Sequence, residues 1–148
     1  MSIGESHELA DDVRALFDEL AGSLQHEQRA YSGECHPVLD VYETDESIEL
    51  LVDLCGVPPE AIRILFRDGI VLIAGEKAPA RTSAEQTFHL VEREFGRFAR
   101  AVRVNGSFDV ARARATLRDG ELTVLLPKMV ERRGQGHRIP VTGSDQPA

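Results

Sequence analysis

The sequence predicts an all-β protein, an antiparallel sandwich of roughly 90 residues, with a helical arm before it and an extension after it. Two features indicate this class. From position 38 onward the apolar residues alternate, as in Ile48, Leu50, Val52 and Leu54, which is the period of a half-buried strand. Asp-Gly pairs at 68–69 and 119–120 separate apolar runs and favour tight hairpins. With 148 residues, 42% of them hydrophobic, the chain has the size of one domain.

The first segment, residues 1–36, has helical rather than alternating periodicity. Its apolar residues recur every three or four positions and form one stripe with acids opposite, and Ser6 is the expected N-cap. A helix this short needs a surface on which to dock. That surface is its own domain, another copy or a partly unfolded protein. The stripe comprises Leu9, Val13, Leu16, Phe17, Leu20 and Leu24.

The body, residues 37–128, carries short apolar runs separated by Gly, Pro and Asp, with no convincing helix among them. We expect the segment 77–87, rich in Ala, Pro, Arg, Thr and Ser, to be a loop that carries at most a short strand. The predicted strands cover residues 48–54, 62–66, 70–74, 88–104, 111–117 and 122–126.

Charge and missing motifs exclude several classes of function. The formal net charge is −8, which disfavours a nucleic-acid-binding protein. There is no nucleotide-binding phosphate loop, no HExxH motif and no GxSxG motif, so we expect no enzyme, no metal and no cofactor. No segment has the length of a membrane span and no secretory signal is evident. Cys35 and Cys55 suit neither a redox pair nor a disulfide framework, and we expect a cytoplasmic protein.

The last segment, residues 129–148, contains one apolar island, Ile139-Pro140-Val141, among Gly, Arg and Ser. Proline keeps the backbone extended, so Ile139 and Val141 project to the same side as two anchors. An exposed sheet edge could accept them by strand addition.

A charged cluster lies in the region predicted as the strand 88–104. Its alternation with apolar residues is typical of a solvated, salt-bridged strand face. The other interpretation is a dimer interface in which arginine pairs set the register. The cluster consists of Glu92, Arg93, Glu94, Arg97, Arg100 and Arg103.

Taken in order, these segments resemble the small heat shock protein family, built on the alpha-crystallin domain. Three positions depart from the usual pattern, namely Cys55, Asn105 and Glu121, and none of them removes a functional group. The resemblance covers residues 37–141 and rests on Val41-Tyr42-Glu43-Thr44-Asp45, Gly56-Val57, Pro59-Glu60, the hairpin 68–76, Glu92-Arg93, the run 95–100, the run 115–122, Leu126-Pro127-Lys128 and Ile139-Pro140-Val141.

The resemblance implies an immunoglobulin-like β-sandwich and an ATP-independent holdase that binds partly unfolded proteins through exposed apolar surface and suppresses their aggregation. We expect the helical stripe to supply that surface, because its side chains can cover apolar patches without a defined sequence. The resemblance also implies a homodimer that assembles into larger oligomers. In the dimer, a strand in the loop 77–87 would be exchanged onto the partner near residues 39–42. The implied dimer residues are Leu39, Asp40, Val41, Tyr42, Thr82, Ser83, Glu92, Arg93, Arg97 and Arg100. The implied groove for the tail anchor consists of Ile64, Phe66, Ala113 and Ala115.

A CS-domain co-chaperone or scaffold module is the alternative, since it shares the sandwich but binds a defined partner. Such domains usually lack both the exchanged loop and the terminal anchor. A native mass well above that of a dimer would favour the holdase, and a monomer would favour the scaffold.

Overall fold

The computed structural model describes residues 3–23, 34–79, 85–129, 139 and 141. They form one helix and seven strands, which confirms the predicted sandwich with a helical arm. The helix α1 spans Ile3–Ser23. The strands are β1 (Leu39–Glu43), β2 (Ser47–Asp53), β3 (Ile62–Arg67), β4 (Ile70–Lys77), β5 (Gly96–Arg103), β6 (Arg114–Arg118) and β7 (Glu121–Pro127).

The strands form two antiparallel sheets with the orders β1-β2-β7-β6 and β3-β4-β5. The first sheet therefore has β1 and β6 at its edges, and the second has β3 and β5. The apolar faces of both sheets meet in one core, in which Leu50 and Ile73 are fully buried. Phe66 and Phe108 close this core edge to face, with ring centroids 6.1 Å apart.

Both predicted Asp-Gly hairpins are confirmed. Asp68 and Asp119 have φ values of 52° and 53°, and the glycine after each has φ 77°. Two consecutive residues with positive φ form the turn whose twist matches that of the flanking strands. These turns join β3 to β4 and β6 to β7.

The strand predicted over 88–104 is shorter than expected. β5 begins at Gly96, which pairs with Lys77, the last residue of β4. Beyond that pair β4 offers no further backbone partner, so alternation alone does not extend the strand, and residues 85–95 contain no strand. The start of β5 is therefore set by the end of β4 and not by the local sequence.

Two other boundaries differ from the predictions. β6 starts at Arg114 instead of 111, because residues 110–112 form a 3₁₀ turn in which Ala113 N donates to the Val110 carbonyl at 3.1 Å. Ser6 is not the N-cap, since α1 already includes Ile3. Among the described residues, no helix is long and apolar enough to cross a membrane.

Candidate functional site

The first candidate surface is the edge strand β1. It pairs with β2 on one side, and no described strand pairs with its other side. Leu39 is half-buried, Asp40 is exposed, and Val41 and Tyr42 are 45% and 42% exposed. Such an edge offers free backbone groups to another strand. The predicted exchange partners Thr82 and Ser83 lie outside the described residues.

The charged cluster does not form one face of a strand. The Arg93 guanidinium lies 5.1 Å from the centroid of the Phe95 ring, and Glu94 accepts a hydrogen bond from His36 N at 3.3 Å. Arg100 points to the inner side of the sheet, where its Nη1 donates to the Pro37 carbonyl at 2.7 Å.

The remaining members of the cluster lie elsewhere. Glu92 is exposed in the segment before β5, and Arg103 is exposed at the last position of β5. Arg97 is on the outer face of the sheet, 5.2 Å from the centroid of the Phe17 ring. These charges therefore have different environments within one chain, and their place in a dimer remains a prediction.

The predicted anchor groove is divided between two edge strands of opposite sheets. Ile64 and Phe66 lie on β3, Ala113 directly precedes β6, and Ala115 lies on it. Ile64, Phe66 and Ala113 pack against the sandwich core, whereas Ala115 is exposed.

The tail anchor is not seated in this groove. Ile139 and Val141 are 85% and 95% exposed, and Pro140 lies outside the described residues. Two exposed aliphatic side chains on one short segment remain available to bind another surface.

The helical stripe docks on the outer face of the sheet β3-β4-β5. Leu16 and Leu20 are 8% and 1% exposed, and Leu16 packs with Leu72 and Ala74 of β4 in a cluster separate from the sandwich core. The partly buried members of this cluster are Leu9, Val13, Phe17 and Leu65. Leu24 lies outside the described residues.

Polar contacts flank this apolar cluster. Asp12 Oδ1 and Arg67 Nη1 form an ion pair at 3.0 Å, and the Phe17 ring faces the Arg97 guanidinium. The Asp12 side chain is only 15% exposed, so this pair is less screened by solvent than a typical surface pair. The two arginines hold α1 at opposite edges of the sheet.

Sequence reasoning missed the residues that receive α1, namely Leu65, Arg67, Leu72 and Ala74. The signal was present in the sequence of β4, which is apolar without interruption from Ile70 to Ala74. In the structure, seven consecutive residues from Ile70 are buried. A strand covered on one face alternates, whereas a continuous apolar run indicates cover on both faces. The run at 70–75 therefore indicated a third layer.

The two cysteines are free thiols in different environments. Cys35 is buried in the sandwich core, and its Sγ donates to the Gly96 carbonyl at 3.5 Å. Burial raises the pKa of this thiol, which Glu94 also raises and Lys77 opposes. Cys55 is exposed in the turn after β2. Among the described residues, no group of His, Cys, Asp and Glu could hold a metal ion.

Known proteins match both the sequence and this fold. Heat shock protein 16 of Schizosaccharomyces pombe is 31% identical over 119 residues, covering 79% of this chain and 83% of that protein. The 16.9 kDa class I heat shock protein 1 of Triticum aestivum is 33% identical over 134 residues, covering 90% of this chain and 86% of that protein.

Solved structures of other proteins are similar to this fold. Heat shock protein 16.0 from Schizosaccharomyces pombe has a TM-score of 0.63 at 32% identity, with 73% of this chain and 99% of that chain covered. A small heat-shock protein from Xylella fastidiosa, described as having a distinct high order structure, has a TM-score of 0.62 at 28% identity, with 74% and 98% covered. The model of the Hsp20/alpha crystallin family matches residues 40–142. The chain therefore belongs to this family, that of the small heat shock chaperones.

Proposed function

We propose that this protein is an ATP-independent holdase that binds partly unfolded proteins and suppresses their aggregation. Besides family membership, the observation that carries the proposal is the position of the α1 stripe. It forms an apolar cluster on the surface of the sandwich, separate from the sandwich core. Such a cluster can open while the sandwich stays folded, because local opening costs less free energy than global unfolding.

Opening of α1 would present the aliphatic stripe to a client. The proposed client-binding residues are those of the predicted stripe, Leu9 to Leu24. Aliphatic side chains cover apolar patches without requiring a defined sequence. The acids on the other side of the helix, such as Asp11, Asp18 and Glu19, are exposed and would keep the complex in solution through their charge.

The proposal includes assembly from homodimers into larger oligomers. The exposed outer edge of β1 supports pairing with the loop of a partner copy. The exposed anchors Ile139 and Val141 support binding to the groove of another copy. Burying both anchors contributes roughly 3 to 6 kcal/mol before the cost of ordering the tail. Each contact alone is then weak and exchangeable, while several together hold a particle.

We also propose a cytoplasmic location and a function without catalysis, cofactor or nucleotide. The two free thiols support a reducing compartment.

The direct test is suppression of the aggregation of reduced insulin at constant temperature, followed by light scattering without nucleotide. We expect scattering to fall as the protein is added in increasing amounts, with no change when ATP and Mg²⁺ are supplied. An equal mass of serum albumin is the control. Scattering that matches this control, or protection that requires ATP, would contradict the holdase.

The assembly test is the variant Ile139→Ala with Val141→Ala, measured by size exclusion with light scattering. We expect a smaller particle, because the aliphatic surface that holds the tail in the groove is lost. The variant Thr142→Ala with Ser144→Ala changes the same tail beside the anchors and should keep the original mass. An unchanged mass in the anchor variant would exclude the anchor from assembly.

A further inference from the structure

The outer face of the sheet β3-β4-β5 is an apolar surface with a basic rim. Residues paired across antiparallel strands share a face, and the register places Leu65, Leu72 and Ala101 in one row. The next row toward the other end contains Ala74 and Ala99, with Arg63 on β3. We call this surface the seat and define it by Leu65, Leu72, Ala74, Ala99 and Ala101.

Arginines border the seat on both edge strands. Arg67 on β3 and Arg103 on β5 flank Ile70 in the row at one end. Arg97 lies on β5 at the other end, opposite Glu76. Arg67, Arg97 and Arg103 are exposed. Arg67 is paired with Asp12 while α1 is docked, so its charge becomes available to another segment when α1 leaves.

Among the described residues, α1 is what covers the seat. Leu72 and Ala74 are 1% and 0% exposed, and their cluster includes no residue outside α1 and the sheet. If α1 leaves, the most apolar part of this face becomes exposed at the same moment as the stripe. The two surfaces are complementary, since each is what the other binds.

The present occupant shows what chemistry the seat accepts. α1 places aliphatic side chains against Leu72 and Ala74 and a carboxylate, that of Asp12, against Arg67. It also places the Phe17 ring against Arg97. The seat thus accepts a segment with an apolar stripe and an acid beside it.

Part of the seat is open even while α1 is bound. Ala99 and Ala101 on β5 are exposed, and a separate groove of about 560 Å³ lies next to the seat, between α1 and Arg97, without a seat residue in its lining. Its lining includes Leu9, Val13 and Phe17 of α1 together with Arg97. An incoming segment can therefore make apolar contacts before α1 has left.

We propose that the seat is a second client-binding site, for which α1 competes with client segments that carry aliphatic residues flanked by Asp or Glu. The proposal rests on the holdase function and adds a site on the sandwich itself. α1 is linked to the seat by its own chain, so it competes at a high effective concentration. Clients then gain access when α1 is loosened.

The test uses full-length protein and a fluorescein-labelled synthetic peptide with the sequence of residues 3–23. Asp12→Arg replaces the ion pair to Arg67 with repulsion and leaves the seat unchanged. Fluorescence anisotropy should show weak binding to the original protein and roughly threefold to tenfold tighter binding to this variant, the effect of one partly buried ion pair.

Two further substitutions, each added separately to the Asp12→Arg protein, test where the peptide binds. Leu65→Glu places a charge in the seat and should abolish the gain. Leu51→Glu makes the same change at a half-buried leucine of β2, in the other sheet, and should keep the gain. Equal peptide affinity in the Leu65→Glu and Leu51→Glu proteins would overturn the seat as a binding site.

The same titrations test the selection for acids. A peptide in which Asp12 is Asn should bind the Asp12→Arg protein more weakly than a peptide in which Asp11 is Asn, because only Asp12 contacts Arg67 in the docked helix. Equal binding of both peptides would overturn the role of the basic rim.

A cross-linking experiment separates this proposal from the holdase function. A photoreactive phenylalanine analogue at position 65, or at position 51 as control, is irradiated with reduced, calcium-free α-lactalbumin, an acidic unfolded protein. We expect cross-links from position 65 that increase with Asp12→Arg. Suppressed aggregation without any cross-link above the position 51 control would overturn the seat while the holdase stands.

Discussion

The two sheets of the sandwich differ in what covers their outer faces. The sheet β1-β2-β7-β6 presents a mixed outer face, on which Glu49, Thr116 and Thr123 alternate with the half-buried Leu51 and Leu125 and no described helix packs. The sheet β3-β4-β5 presents the seat, which lies under α1. The difference is already visible in the strands, because burial alternates along β2 but is continuous along β4. The pattern of a strand therefore reports how many layers surround it.

This comparison separates stability from function. The core between the sheets holds the sandwich, and its residues come from both sheets. The cluster under α1 is small and includes one layer that is a single helix. We expect the core between the sheets to resist opening, and the cluster under α1 to open and close in the folded protein.

The largest expected effect is the contrast between Leu50→Ala and Leu72→Ala. Leu50 is enclosed in the sandwich core, and its truncation should lower the free energy of unfolding by about 3 to 5 kcal/mol. Leu72→Ala should cost about 2 kcal/mol, because α1 can shift to fill the space. Urea denaturation measures both. A larger loss for Leu72→Ala would show that the helix layer is part of the stable core.

A smaller effect is expected from the ion pair that holds α1. Asp12→Asn should weaken the attachment by about 1 kcal/mol and speed amide hydrogen exchange in α1 by roughly fivefold, with β2 and β7 unchanged. Asp11→Asn is the matched control, since Asp11 faces Arg14 at 3.8 Å with both side chains about three-quarters exposed. Equal exchange in the two variants would show that the Asp12–Arg67 pair does not hold the helix.

The smallest expected effect is the difference in reactivity between the two thiols. Burial raises the pKa of Cys35, so its thiolate fraction at pH 8 is lower than that of an ordinary cysteine, and its Sγ is enclosed. Cys55 should react with a disulfide reagent at once, and Cys35 only after opening of the fold.

The pH dependence of stability follows from the same shift. The folded protein holds the Cys35 proton more tightly than the unfolded chain does. The contribution to stability is complete below the unfolded pKa of about 8.5 and is lost as pH rises through the folded value. Urea midpoints for the original protein and for Cys35→Ala between pH 7 and pH 10 check this, and Cys35→Ala should lessen the fall in stability at high pH. In the reactivity experiment, fast reaction of both thiols with the disulfide reagent at pH 8 would contradict an enclosed Cys35.

Much of the sandwich follows from local sequence. Alternation along 48–54 and the Asp-Gly turns at 68–69 and 119–120 predict strands and hairpins, because these signals depend on neighbouring residues alone. The start of β5 does not follow, since it is set by where β4 ends. An amphipathic stripe such as that of α1 shows that a helix must dock, but its receiving surface is assembled from three strands distant in the chain.

The candidate site was predictable to a different extent in each part. The anchor at 139–141 and the edge at 39–42 could be named from motifs, although their proposed partners are other chains. The seat could not be named from motifs, because Leu65, Leu72 and Ala101 meet only through the register of β3, β4 and β5. The run in β4 gave the signal for a covering layer without showing which layer covers it.

The two-sided burial of β4 has a consequence for how this protein can vary. Along the strand, Val71 and Ile73 face the sandwich core while Leu72 and Ala74 face α1. Neighbouring positions therefore have different constraints. Those that face the core are constrained by folding, and those that face α1 are constrained by which segments bind the seat. Substitutions at 72 and 74 can change which segments the protein captures while those at 71 and 73 preserve the sandwich, so one short strand lets binding preference diverge independently of the fold.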